Sequence, residues 1–367
     1  MDKRIPIYMP DLSGNEKKYV IDCIETGWIS SLGSYVRQFE EQFAEYCRVK
    51  HAISVANGTV ALHLALISTG IGPGDEVIVP SLTFVATANV VRHAGAKPVF
   101  VDVDESYWTL DPIKLEEKIT SRTKAIIPVH LYGHPADMDR ILKIAEAHQL
   151  IVIEDAAEAH GAEYKGKKVG GLGNLGCFSF YGNKTLTTGE GGMVLTDDDN
   201  FAERARFLKD HGMSKERRYW HPEIGYNYRM TNLQAAVGVA QLERLDSIVS
   251  RKREIAAYYR RNLGACAGID LHPEAEWAKN SYWMYSIVIK DDFGLSRDEL
   301  MVELEDKNIE TRPFFYPMHQ LPPYREKDGN YPASDRLSQR GMNLPSYPGL
   351  SDHDIDRICS VIRNYSG

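Results

Sequence analysis

Cysteine is scarce in this chain: five in 367 residues (Cys23, Cys47, Cys177, Cys266, Cys359), odd in number, scattered and nowhere in a C-x-x-C pair. Neither a disulfide frame nor a metal site is expected, and a reducing cytoplasm is the expected compartment. Long apolar runs are also missing. None approaches the ~18 residues that a membrane-crossing helix needs, and the start, Met1-Asp2-Lys3-Arg4-Ile5-Pro6, has no apolar core of the signal-peptide kind. Positive charge is not in excess. The formal net charge is −8, and the basic clusters (Arg217-Arg218, Arg251 to Arg253, Arg260-Arg261) are short and mixed with apolar residues. A nucleic-acid partner needs a concentrated basic surface, so neither nucleic acid nor membrane is expected as a partner. Internal repeats and low-complexity tracts are lacking as well. What remains, 43% hydrophobic and 26% charged, is the composition of an ordinary globular protein with room for one large and one smaller domain.

The first 200 residues alternate short β-branched apolar runs with amphipathic stretches. Strands are expected at His51–Ala56, Glu76–Val79, Lys97–Val103, Ala125–His130, Leu150–Glu154, Cys177–Tyr181 and Gly192–Thr196, with helices at Val60–Ser68, Ala86–His93 and Asp137–Ala147. Several of these strands lack polar alternation, as strands buried on both faces do. The β–α alternation predicts a largely parallel, doubly wound α/β sheet. Ser13-Gly14-Asn15-Glu16 reads as a capping box with Gly27 as the helix stop, and Thr231-Asn232-Leu233-Gln234 as a second box opening one long helix to about Leu263. A Trp283–Ile289 strand, a Ser296–Lys307 helix, a proline-rich stretch from Pro313 to Pro323 and a helix capped at Ser351 follow. This pattern divides the chain into a large domain, 1–245, with an N-terminal segment 1–30, and a small domain, 246–367.

Two glycine motifs are decoys. Gly171-Leu-Gly-Asn-Leu-Gly176 matches G-x-G-x-x-G, but a dinucleotide fingerprint must follow a strand and open a helix, and this run leads into a strand. Gly161–Lys168 has P-loop spacing, yet Lys168 stands where the magnesium-binding hydroxyl belongs.

Three other features carry chemistry. Asn57-Gly58-Thr59 is a small, hydroxyl-bearing turn at a helix start, where free backbone N–H groups and the positive dipole end suit a phosphate. Ile151-Val-Ile-Glu-Asp155 is an apolar strand ending in two carboxylates, at the edge where α/β folds bind ligands; Asp155 there suits a metal, a ribose or a protonated ring nitrogen. Phe178 through Gly192 runs from an aromatic strand to Lys184 and then to a glycine-dense loop. Lysine is rarely buried unpaired, and an imine-forming lysine needs a lowered pKa from desolvation or a nearby cation.

With these segments, Gly27-Trp-Ile-Ser-Ser-Leu-Gly33, Gly74-Asp-Glu-Val-Ile-Val-Pro80, Val152-Ile-Glu-Asp-Ala-Ala157, Tyr228-Arg-Met-Thr-Asn232 and Arg312-Pro313, the chain resembles the DegT/DnrJ/EryC1/StrS aminotransferases over essentially its whole length. The resemblance implies a fold-type I pyridoxal-phosphate transferase. Lys184 would carry the cofactor through an imine and shuttle a proton, Asp155 would pair with the pyridinium nitrogen, and Glu158 would lie near the ring 3-hydroxyl. Gly58, Thr59 and Ser179 would bind the 5′-phosphate and Phe84 would stack on the ring. Asn227 would reach the phosphate from a neighbouring subunit, making a homodimer, or a tetramer built from such dimers, with shared active sites. For the substrate, Arg229 and Arg312 are candidates for carboxylate or pyrophosphate contacts, Tyr316, His319 and His160 for the sugar, and Trp28 for an anchor near the dimer interface. Phe180 to Thr185, Arg218-Tyr-Trp220 and Pro317 to Tyr324 most resemble the branch that moves the amino group of L-glutamate to C4 of GDP-4-keto-6-deoxymannose for O-antigen or other polysaccharide. A dTDP- or UDP-linked keto sugar is the alternative. The sugar dehydratases on the same scaffold have histidine at the lysine position, which Lys184 speaks against.

Overall fold

The computed structural model describes residues 3–326 and 329–366, so Met1 and Asp2 of the expected N-terminal reading lie outside it. Seven strands form the main sheet, in the order β1 (His51–Val55), β9 (Gly192–Thr196), β8 (Leu175–Ser179), β5 (Ile151–Asp155), β4 (Thr123–Ile126), β2 (Glu76–Pro80), β3 (Lys97–Val101). The expectation of a largely parallel sheet holds with one exception: β9 is antiparallel to both neighbours, β1 and β8. Residues 180–191 return the chain from β8 to β9 without a crossover helix, which parallel strands would require. The loop carrying Lys184 is therefore the turn of an antiparallel pair, at the same edge as the C-terminal ends of β1, β2, β4 and β5.

Alternate residues of the strands feed two cores. Ile78, Ile126 and Val152 pack on one face of the sheet, while Val77, Val79, Ala125 and Ile153 pack on the other. Helices cover both faces. A small sheet of β6 (Glu163–Tyr164), β7 (Lys167–Lys168) and β11 (Ala278–Lys279) lies beside it. The C-terminal part adds a four-stranded antiparallel sheet, β10 (Ile269–Leu271), β12 (Tyr285–Ile289), β14 (Gly341–Leu344) and β13 (Arg312–Pro313), with its own core that includes Ile255, Tyr259, Leu300 and Ile355. Ile5 joins that core through a parallel bridge to Ile309.

Two expectations change. The Ser13–Glu16 box does not form: Asn15 precedes the helix without a side-chain cap bond, and the Ser13 N–H donates to Asp11. Glu16 is buried instead and accepts from Gln241 Nε2 at 2.7 Å. The Thr231–Gln234 box does form, but its helix ends at Leu242 and a second runs from Leu245 to Leu263. The break is at Arg244, whose φ of −117° leaves the helical path and whose guanidinium forks onto Asp11. Gly27 does close the first helix, at φ +75°, a conformation glycine adopts without a Cβ penalty.

Candidate active site

Asp155 is the last residue of β5 and is 5% exposed. Thr87 Oγ1 donates to one carboxylate oxygen at 2.8 Å and the Ala157 N–H to the other at 3.2 Å. Burial pushes its pKa above the ordinary carboxylate value, against those hydrogen bonds and the charge of Lys184. Glu158, in the turn that follows, is also buried; it accepts the Tyr132 N–H at 2.9 Å and lies 3.6 Å from Lys184 Nζ. Burial raises its carboxyl to about 7, opposed first by the Lys184 charge. The Lys184 side chain is 11% exposed, and burial lowers its amine below the usual lysine value although Glu158 and Asp155 pull the other way. Two buried carboxylates and one desolvated amine thus share a pocket.

The turn after β1 supplies the second half of the site. Asn57 caps the helix Gly58–Ser68 by accepting the Val60 N–H at 3.0 Å, so the helix begins at Gly58 rather than at Val60. Its first N–H groups have no partner within the helix. Gly58 lies against Ser179 at the end of β8: a Cβ there would fall 2.5 Å from Ser179 Cβ, so only glycine lets the two backbones meet. Thr59 follows on the same turn. Phe84, 54% exposed, stands in the loop after β2 with its ring centroid 5.6 Å from that of Phe315.

The remaining sequence candidates divide. Asn227 is exposed, in a backbone bridge with Asp210, and the next residue, Tyr228, accepts the Ala56 N–H at 2.9 Å. Arg229 is ion-paired to Asp210, and the Arg312 guanidinium is 3.9 Å from Glu310 and half exposed. Tyr316 is 65% exposed. Trp28 is exposed, and its carbonyl accepts Asn232 Nδ2 at 2.6 Å. The two histidines differ from expectation. His319 is not a free sugar contact: Nδ1 meets Ser81 Oγ at 2.7 Å, Nε2 meets Asp335 Oδ1 at 3.0 Å, and the ring stacks on Tyr331. Both nitrogens are used in tying the loop after β2 to the helix Pro332–Arg340. His160 is 0% exposed, packed between the rings of Phe178 and Phe180, and neither nitrogen has a hydrogen-bond partner. It packs on the aromatic core behind the pocket, within reach of the Lys184 charge.

His160 gives a clean pH signature. Burial lowers its pKa to about 3, so the folded protein holds it neutral. Above the unfolded value the group costs nothing; as pH falls from there toward 3, the unfolded chain gains a proton that the folded chain refuses, and stability declines. Between pH 6.5 and 5 this amounts to roughly 2 kcal/mol. In denaturant titrations His160→Leu should lose correspondingly less stability than wild type over that interval. Identical pH dependence in the two proteins would show that His160 is not held neutral.

Several working neighbours carry no sequence signal. Thr87 orients Asp155, the Tyr132 N–H orients Glu158, and the Tyr8 hydroxyl donates to the Lys184 carbonyl at 2.5 Å. Trp283 places its ring 3.8 Å from Lys184 Nζ. The decoy glycine run also acquires a use: the N–H groups of Gly170, Leu172 and Gly173 converge on the Glu154 carboxylate at 2.6–2.7 Å, with His130 Nε2 at 3.0 Å. The loop does cradle an anion, but that anion is a side chain of the chain itself.

A desolvated amine, a buried carboxylate across from it, and a glycine-lined helix start beside a serine fit pyridoxal phosphate group by group. Gly58, whose missing Cβ leaves the backbone close to Ser179, fits the phosphate; Asp155 fits a cationic ring nitrogen; Lys184 fits the aldehyde carbon. Fold and site together define a pyridoxal-phosphate-dependent transferase of the aminotransferase class. The sequence profile of the DegT/DnrJ/EryC1/StrS aminotransferase family matches residues 10–363, and the chain belongs to that family. It is 50% identical over 363 residues, 99% of each chain, to the GDP-perosamine synthase of Escherichia coli O157:H7. Among solved structures it is similar to S. venezuelae DesV in complex with a ketimine intermediate (TM-score 0.94, 37% identity, 100% of this chain and 99% of that one). It is similar also to the PLP-form of Spr1654 from Streptococcus pneumoniae (TM-score 0.93, 28% identity, 99% of each).

Proposed function

We propose that this enzyme moves the amino group of L-glutamate to C4 of GDP-4-keto-6-deoxy-D-mannose, giving 2-oxoglutarate and GDP-perosamine for O-antigen or other polysaccharide assembly. The observation that carries the reading is the end-to-end likeness to a GDP-perosamine synthase, with the Lys184 pocket intact. Pyridoxal phosphate, when bound, supplies an electron sink that lets a C–H bond beside nitrogen ionise. Lys184 Nζ holds the cofactor and, once free, takes up and returns the proton at the reacting carbon; its burial keeps enough of the amine neutral to act as a base. Asp155, fixed by Thr87 and Ala157, keeps a negative charge where the cationic ring nitrogen needs one. Glu158 holds the Lys184 amine from one side and would meet the ring hydroxyl of the bound cofactor. The amides of Gly58 and Thr59, with the Ser179 hydroxyl, would bind the phosphate, and Phe84 would cover the ring. Arg229, Arg312 and Tyr316 bind the nucleotide sugar; for Arg229 this requires sharing its guanidinium with Asp210.

The active unit is a homodimer in which Asn227 of a second copy completes the phosphate site. Its support is an exposed apolar set close together in the sequence, Ile21, Ile24, Trp28, Ile29 and Leu32, of the kind that marks an interaction surface. The division into 1–245 and 246–367 is supported by the separate core of the four-stranded sheet. Among the described residues no helix is long and apolar enough to cross a membrane. The test is a panel of GDP-, dTDP- and UDP-linked keto sugars assayed with L-glutamate. GDP-4-keto-6-deoxymannose is expected to give the highest kcat/KM; preference for a dTDP or UDP sugar would overturn the substrate while leaving the reaction class standing.

A further inference from the structure

Trp283 lies just before β12 and is 5% exposed. Its Nε1–H donates to the Asn183 carbonyl at 2.7 Å, and its ring is stacked on Tyr132 with centroids 6.2 Å apart. Those contacts hold the indole face toward Lys184, with Nζ 3.8 Å from the ring centroid. The next carbonyl along, that of Lys184, takes the Tyr8 hydroxyl, and the Tyr8 strap is pinned in turn by the bridge from Ile5 to Ile309. Backbone and amine of the lysine are thus fixed separately, the amine between an aromatic face and the Glu158 carboxylate.

An aromatic face attracts a cation through its quadrupole, and more strongly when water is excluded. The titratable groups facing Lys184 are Glu158 at 3.6 Å, Asp155 at the end of β5 and His160 behind them. Glu158 titrates near 7, so its hold on an ammonium weakens as it takes up a proton. The indole does not titrate, and its pull is the same at every pH.

We propose that the Trp283 indole is the seat of the free Lys184 ammonium and is the positioning residue that sets how readily that amine gives up its proton. This rests on the aminotransferase reading with Lys184 as the working amine.

The test uses the full-length holoenzyme converted by L-glutamate to its amino form, in which Lys184 is free. Trace acetylation at a series of pH values, with Lys184 quantified by mass spectrometry, reads the pKa of the amine. Trp283→Leu should lower it by about one unit, and Trp283→Phe, which keeps a ring but loses the N–H, less than half as far. The acid limb of the single-turnover rate with L-glutamate should move the same way. If the leucine variant does not load cofactor, biosynthetic fluorotryptophan keeps shape and N–H while draining the ring face. The Lys184 pKa should then fall with each added fluorine in the wild type and not in equally labelled Trp283→Phe. An unmoved pKa in the leucine variant or the fluorinated protein overturns the proposal. So does a phenylalanine variant that falls as far as leucine, because the hydrogen bond to Asn183 would then be the cause. A wild-type protein that glutamate does not convert at all fails the aminotransferase reading instead, which separates the two.

Discussion

Lys184→Ala is expected to abolish amino transfer, by at least about 10⁴-fold in kcat, because one substitution removes both the covalent anchor and the proton carrier. The visible absorbance of the lysine-bound cofactor should vanish with it. The fold should survive. The bonds that secure this loop, from Tyr8 and Trp283, end on the backbone carbonyls of Lys184 and Asn183, which alanine keeps. Losing the lysine removes the charge that restrains Glu158, so the variant should bind protons at Glu158 more readily than wild type does. Turnover, thermal unfolding and absorbance measured side by side check this; a variant that keeps its fold and still turns over would eliminate Lys184 from the reaction.

Asp155→Asn is expected to cost about 10³-fold in kcat, with a much smaller effect on KM for L-glutamate. Asparagine is the informative replacement. Asp155 is buried and accepts from Thr87 and Ala157, and an alanine would strand both donors, each at a cost of about 1–3 kcal/mol. An asparagine carbonyl still accepts from Thr87, and only the longer Ala157 N–H bond is lost with the charge, so the change comes nearer to testing the charge than alanine does. Under the proposed function the relevant property would be the negative charge that Asp155 would hold toward the ring nitrogen of bound pyridoxal phosphate. Steady-state kinetics with circular dichroism decides the matter. A kcat within about tenfold of wild type would mean that Asp155 only packs.

Much of the fold was legible because its strands are short, apolar and bounded by glycine or polar turns. Gly192–Thr196 and Ala86–His93 have the bounds expected from the sequence. Strand direction was not legible at β9: direction depends on whether a crossover intervenes, and the glycine-dense loop 180–191 gives no period from which to read one. The break at Arg244 escaped because the apolar pattern continues through it; the cause is Asp11, 233 residues away in sequence.

In the site, Lys184, Asp155 and the Asn57–Thr59 turn were readable because each sits at a strand end within a local pattern. Their supports were not: Tyr8 reaches Lys184 across 176 residues, Thr87 reaches Asp155 across 68, and Trp283 reaches Asn183 across 100. One signal was available for Glu154. Neighbouring residues on a strand point to opposite faces, so Glu154 and Asp155 could not both face the site, and Glu154 is the one that fills the glycine loop. His160 lies two residues from Glu158 and His319 in the proline-rich stretch, and neither position in the sequence sets where a ring packs: one lies against Phe178 and Phe180, the other is bonded to Ser81 and Asp335.

The most direct measurement is chemical trapping on the wild-type protein loaded with pyridoxal phosphate. Borohydride reduction freezes the cofactor on whichever lysine holds it, and peptide mass mapping names the residue. Stoichiometric pyridoxyl label on Lys184, prevented when L-glutamate is added first, is the expected result. Label on another lysine, or none at all, would contradict the assignment of Lys184 as the cofactor-bearing residue.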